Sequence, residues 1–232
     1  IPGKLQGSIG VGDDAGALNL KGIQFLLASD TVVNGIDFIS SKIKPELAGH
    51  KALAVNLSDI AAMGGRPLAF VINLGIPKNF SEKWILKFYN GMMKLASKYN
   101  VSCLGGDISG AKEFFASISI LGEAGTKTVL RSGAKTGEWI GVTGKLGGSI
   151  LGHHASFEPR VQEGKVLADF GVSSMIDISD GLLQDLGHIL KTSGKGAVLE
   201  VTDIPISDAA WQLTGNSDTL KSLEHAVTDG ED

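Results

Sequence analysis

Apolar and polar positions alternate in blocks along this chain, and the blocks predict a succession of strands and helices. Gln24 to Ser29 reads as a strand, Lys51 to Met63 (KALAVNLSDIAAM) as a helix stopped by Gly64-Gly65 and Pro67, and Leu68 to Leu74 as a second strand. Ser81 is placed to cap a helix running through Lys98, in which Trp84, Ile85, Phe88, Met92, Leu95 and Ala96 recur at helical spacing and predict a core-facing stripe. Phe114 to Glu123 alternates like a strand. The pattern then breaks at SGAKTG (132–137) and begins again, with strands expected at Trp139 to Thr143, Met175 to Ile178 and Ala197 to Val201, and helices at Arg160 to Phe170 and Leu182 to Lys191. This is an α/β (α+β) pattern in two domains, 1–133 and 134–232.

Composition removes several classes of function. With 43% hydrophobic residues in 232, the chain can bury a sizeable core; a net charge of −4 without Lys/Arg runs gives no footprint for nucleic acid or a membrane surface. No apolar stretch is long enough to span a bilayer, no signal peptide is visible, and Cys103 is alone, so a cytoplasmic protein without disulfides is expected. The opening Ile1-Pro2 and the close at Glu231-Asp232 suggest a fragment or only the ordered part of a longer chain.

The acids change the picture. Asp13 and Asp14 stand in the loop GVGDDAG, Asp30 follows QFLLAS, Asp59 lies inside an apolar helix, Asp107 follows CLGG, and Asp177 and Asp180 bracket Ser179 in MIDISDGL. Each has an ordinary alternative. Asp in a Gly-rich turn caps a backbone N–H, Asp177 and Asp180 could be helix caps, and Asp59 could lie on a solvated stripe. Their recurrence where an apolar element meets a small-residue loop favours a shared site for a hard, oxygen-loving cation such as Mg²⁺. Glycines spaced GxGxxxG are not a dinucleotide fingerprint, and no phosphate-binding GxxxxGK[ST] loop, protein-kinase set or GxSxG nucleophile elbow occurs. His153, His154 and His188 read as structural or surface residues, and Cys103 as a buried small residue.

Taken in order, GVGDDAG, ASDTVVNGIDF, KALAVNLSDIAAMGGRP, LGGD, LRSGAKTGEWIGVTG, MIDISDGLLQDLGHI and DGED resemble the thiamine-monophosphate kinase family, within the superfamily of aminoimidazole-ribonucleotide synthetases. The resemblance implies an N-terminal ATP- and Mg²⁺-binding domain whose sheet pairs across a homodimer, a C-terminal domain across a cleft, and phosphoryl transfer from ATP to thiamine monophosphate. It further implies metal ligands at Asp14, Ser29, Asp30, Asp59, Asp107, Asp177 and Asp180, nucleotide contacts at Gly106, Asp107, Arg131 and Ser179, and catalytic roles for Asp30, Asp107 and Asp180. Glu231 would lie near the acceptor, with Asp37 where the family carries a His thought to touch it. The closing TDGED stands for the family's SGGED, and GGSILGHHASFEPRV is shorter than its counterpart. Two alternatives stay open at this level. Asp37 would suit a hydroxyl or amine acceptor, and the same ATP-side residues would serve a non-catalytic nucleotide-binding relative.

Overall fold

The computed structural model describes residues 8–231. Five strands form one sheet: β1 (Gly16–Leu20), β2 (Ile23–Val33), β3 (Arg66–Ile76), β4 (Ser102–Gly110) and β5 (Phe115–Glu123), in the order β1-β2-β5-β3-β4. All neighbours are antiparallel except β3 and β4, which are parallel and joined by a helical crossover. Two long helices, α1 (Pro45–Ala62) and α2 (Glu82–Lys98), pack together. The period-two pattern of the strands explains why they cover one face. Leu26, Ala28 and Val32, Phe70, Ile72 and Leu74, and Ala116, Ile118 and Ile120 are buried in one core with α1 and α2, while Leu27, Thr31, Val71 and Asn73 between them are exposed.

The expected helix stripe is core: Phe88, Met92, Leu95 and Ala96 are buried, and the Ser81 side chain accepts the N–H of Trp84 as its cap. Trp84, Phe80 and Phe88 gather around Phe114, with ring centroids 4.9, 5.0 and 5.3 Å away. Helix α1 begins at Pro45, six residues before the pattern suggested, because Pro fits the first turn and Gly49 does not break the helix. Gly49 is instead a contact point. A Cβ there would lie 1.9 Å from the carbonyl oxygen of Phe88, and one on Gly91 would lie 1.9 Å from that of Glu46, so the α1 and α2 backbones touch.

Beyond the sheet, α3 (His153–Ser156) and α4 (Val161–Phe170) pack on α1, and Phe157 and Val161 join the main core. A smaller cluster of Leu146, Leu182 and Ala226 gathers α5 (Leu182–Ser193) and α7 (Thr219–Thr228), with α6 (Asp208–Leu213) beside α7. The three strands expected at Trp139 to Thr143, Met175 to Ile178 and Ala197 to Val201 do not form; these segments run irregularly, and Trp139 is fully exposed. Extended sequence becomes strand only beside a pairing neighbour. Among the described residues this half has only the isolated bridge Leu146–Ile206.

Candidate functional site

Helix α1 organises the polar residues against the sheet. Antiparallel β1 stops pairing with β2 at Leu27, so the later part of β2 has one free edge, and Asn56 of α1 reaches it. The Asn56 amide oxygen accepts the N–H of Asp30 at 3.1 Å, and its NH₂ donates to Ala52 at 3.1 Å, so this fully buried amide is satisfied within the fold. One turn further along α1, Asp59 shares a hydrogen bond with the Asp30 carboxyl. Ser58 donates to Asp177 Oδ2 at 2.8 Å, drawing the MIDISD segment against the same helix.

Carboxylate oxygens of Asp14, Asp59 and Asp177 lie within 4.8 Å of one another. Three such groups in one place repel each other, and the titration behaviour shows the cost. Burial, then the charges of Asp30, Asp177 and Asp14, push Asp59 far above the carboxylate range. Burial, then the charge of Asp14, pushes Asp177 up to about 7. Asp30 is also raised, by burial and, less, by Asp37, against the lowering bond from Asp59. The one guanidinium at the cluster is Arg131, which pairs with Asp14 at 2.7 Å. Neighbouring Asp13 accepts the Arg131 backbone N–H at 2.8 Å, the turn-bonding role open to an Asp in a Gly-rich loop.

Other expected site residues are placed elsewhere. The Ser29 hydroxyl is on the open face of the sheet, bonded to Ile118 and Ser119. Register pairs Thr31 with Ser117, Ser117 with Asn73 and Asn73 with Asp107, so Asp107 belongs to that polar open-face row, three strands from β2. Asp180 is exposed and accepts from Gln184 at 2.8 Å, and Ser179 beside it is exposed as well. Both residues are held by Asp185, whose buried carboxylate accepts their backbone N–H groups at 2.9 and 3.0 Å. The sequence reading missed Asp185, although an acid flanked by Leu182 and Leu186 in the first turn of a helix is a signal for such a role.

Asp37 is turned into its own loop, where Oδ2 accepts the Val33 N–H at 2.7 Å. Glu231 pairs with Lys51 of α1. A cavity of about 310 Å³ opens between α2 and the edge strand, lined by Tyr89, Cys103, Gly106, Asp107 and Ile108. It lies where β4 bulges, so that two residues face one of β3, a feature that read as a Gly-Gly loop in sequence.

Comparison with known proteins supplies the context. Residues 12–124 match the family model described as AIR synthase related protein, N-terminal domain. Thiamine-monophosphate kinase of Rhodopirellula baltica is 39% identical over 237 residues, covering 98% of this chain and 74% of that protein. The enzyme of the same name from Salmonella typhimurium is 36% identical over 252 residues, covering 99% and 75%. Among solved structures, AaThiL complexed with AMPPCP and TMP superposes with a TM-score of 0.90 at 27% identity, covering 96% of this chain and 77% of that one.

Proposed function

The chain belongs to the thiamine-monophosphate kinase family, and from that premise we propose that it transfers the terminal phosphoryl group of ATP to the phosphate of thiamine monophosphate, giving thiamine diphosphate and ADP. The observation that carries the reading is the half-buried cluster of Asp14, Asp59 and Asp177, in which burial and mutual charge raise the proton affinities of Asp59 and Asp177 and leave negative charge short of a cation. An all-carboxylate donor set fits Mg²⁺ and does not fit a soft metal. Bound there, Mg²⁺ supplies positive charge between two anionic reactants.

Asp14, Asp59 and Asp177, with Asp30 beside them, are the proposed ligands in this chain's own cluster. Ser29, Asp107 and Asp180 are proposed as further ligands, and Asp30, Asp107 and Asp180 as the catalytic acids. Arg131, Ser179 and Gly106 serve the nucleotide, with the cavity beside Tyr89 suited to its flat base. Arg131, paired with Asp14 in the metal-free chain, would be free to bind a phosphate oxygen were that carboxylate to hold Mg²⁺. No general base is required, because the accepting phosphate oxygen is already ionised; positioning and charge neutralisation do the work. That accounts for a site rich in acids in which histidine has no proton to move.

Asp37 need not face the acceptor phosphate, since its Oδ2 is turned into its own loop to accept the Val33 N–H. We further propose a cytoplasmic homodimer formed through the open sheet face, where Leu27, Val71, Leu104 and Leu121 are exposed, with Asp107 at the subunit boundary. The division at 133 into an ATP- and Mg²⁺-binding part and a C-terminal part belongs to the same reading.

Incubating the protein with MgATP and thiamine monophosphate, with ADP and thiamine diphosphate followed by chromatography, tests the proposal. Product formed by the wild type and lost in Asp59→Asn supports it. ATP binding without turnover of thiamine monophosphate overturns it, and ADP released only with another acceptor moves the reading to that acceptor.

A further inference from the structure

Lys51 is the most buried cation among the described ion pairs, with its side chain 3% exposed. An ammonium carries three donors and no acceptor, and three acceptors meet this one: the Asp37 carbonyl oxygen at 2.8 Å, His154 Nδ1 at 3.3 Å, and the Glu231 carboxylate. Burial, then the charges of Lys51 and His153, lower the proton affinity of His154 and favour the neutral ring, which accepts at Nδ1 as its Nε2–H tautomer. The three acceptors come from three separate stretches: the turn after β2, helix α3 and the closing residues. Lys51 is where these stretches are joined to α1.

Glu231 is fixed from its other side as well. Its backbone is left-handed, with φ of 58°, a conformation uncommon for Glu and kept only where the surroundings enforce it. Immediately before it, a Cβ on Gly230 would lie 2.1 Å from the Ser179 carbonyl oxygen, so the chain there is pressed against the Ser179 turn. Gly230 therefore abuts Ser179 while the Glu231 carboxylate that follows it pairs with Lys51. That carboxylate also feels the charges of Asp37 and Asp30, which sets it at the edge of the acid cluster.

A buried ion pair is a poor way to stabilise a helix, since an apolar residue of similar volume packs as well without desolvation. What the pair does supply is a fixed direction for a carboxylate. We propose that Lys51 is a positioning residue for the acceptor side of the reaction, holding Glu231 and the Asp37 turn in the arrangement that seats thiamine monophosphate. The inference rests on the functional reading above. It adds a residue that touches neither reactant.

The test compares Lys51→Met, Glu231→Gln and the double variant in the full chain, measuring KM for thiamine monophosphate, affinity for an ATP analogue by calorimetry, and thermal unfolding. Each single change is expected to raise the acceptor KM about 10- to 100-fold, the scale of a misplaced binding group, with ATP-analogue affinity within about twofold. The double variant decides between positioning and mere support. Removing both charges restores part of the thermal stability that Lys51→Met loses, while the acceptor KM stays as high as in either single variant, because the two residues act as one unit. An acceptor KM that never moves, that recovers with stability, or that rises by the product of the two single effects overturns the inference. If Lys51→Met does not fold, Glu231→Gln and the double variant must still show equal KM increases. A wild type that makes no thiamine diphosphate overturns the functional reading and this inference together, whereas an active wild type with unmoved variants overturns the inference alone.

Discussion

Two polar groups stand eight residues apart on α1, Lys51 buried and Asp59 half-buried, and they are opposite in kind. At Asp59, several carboxylates crowd one guanidinium, and burial together with the excess charge raises the proton affinity of Asp59 and Asp177. At Lys51, one ammonium meets three acceptors and every donor is used. The first arrangement is destabilising by itself and improves when a cation arrives; the second is complete as folded. The difference separates a cluster with uncompensated charge from a group whose charge is met within the fold, although both are polar residues in a largely apolar helix.

The sharpest way to break this contrast is to neutralise each centre. Asp59→Asn is expected to abolish more than about 99.9% of turnover, as for other charge-stabilising groups at a reacting centre, while raising the melting temperature of the metal-free protein by several degrees near pH 8. Lys51→Met should change stability in the other direction, by about 2–3 kcal/mol; this is below the loss for a fully buried pair because Glu231 keeps 25% of its side chain in solvent. Calorimetric melting of both variants checks the signs. Equal signs would remove the distinction.

A smaller effect comes from pH. Asp59 and Asp177 have proton affinities above those of an unfolded chain, so between about pH 4 and pH 7 the folded state holds more protons than the unfolded one. Stability of the metal-free protein therefore falls as pH rises through about 7, where Asp177 loses its proton, and goes on falling above it as Asp59 follows. Mg²⁺ competes with those protons, so the rise in melting temperature on adding it should be larger at pH 8 than at pH 6. A rise independent of pH would detach the ion from these acids. The smallest expected change is Asp185→Asn, which keeps one acceptor for two N–H groups. It should cost about 1 kcal/mol in denaturant unfolding and speed amide exchange at Ser179 and Asp180.

How much of this was legible in sequence depends on the residue. Asp59 could be found because a charge among Leu57, Ile60 and Met63 needs a reason. Lys51 could not, since a lysine on a helix normally reaches solvent, and only the distant His154 and Glu231 show that this one turns inward. The stripe on α2 was readable from spacing alone. Strand β4 was not, because Gly105 and Gly106 look like a turn until β3 lies beside them and absorbs the bulge. The expected strands at Trp139, Met175 and Ala197 failed for the converse reason: their local pattern is right, but pairing is a property of neighbours and not of the segment. The motifs carried the family, while the burial and partners of each acid had to come from the fold.

The close contact of α1 with α2 at Gly49 and Gly91 has a counterpart on α4, where a Cβ on Gly164 would lie 2.2 Å from the Ala61 carbonyl oxygen. Gripped by bare backbone near both ends, α1 has no freedom to slide or roll. At about 1.5 Å per residue, the rise from Lys51 to Asp59 is about 12 Å. The helix thus works as a gauge block, setting the distance between the Lys51–Glu231 pair and the carboxylate cluster by its length alone. One residue inserted between those positions would turn the two groups about 100° further around the axis relative to each other without altering either of them.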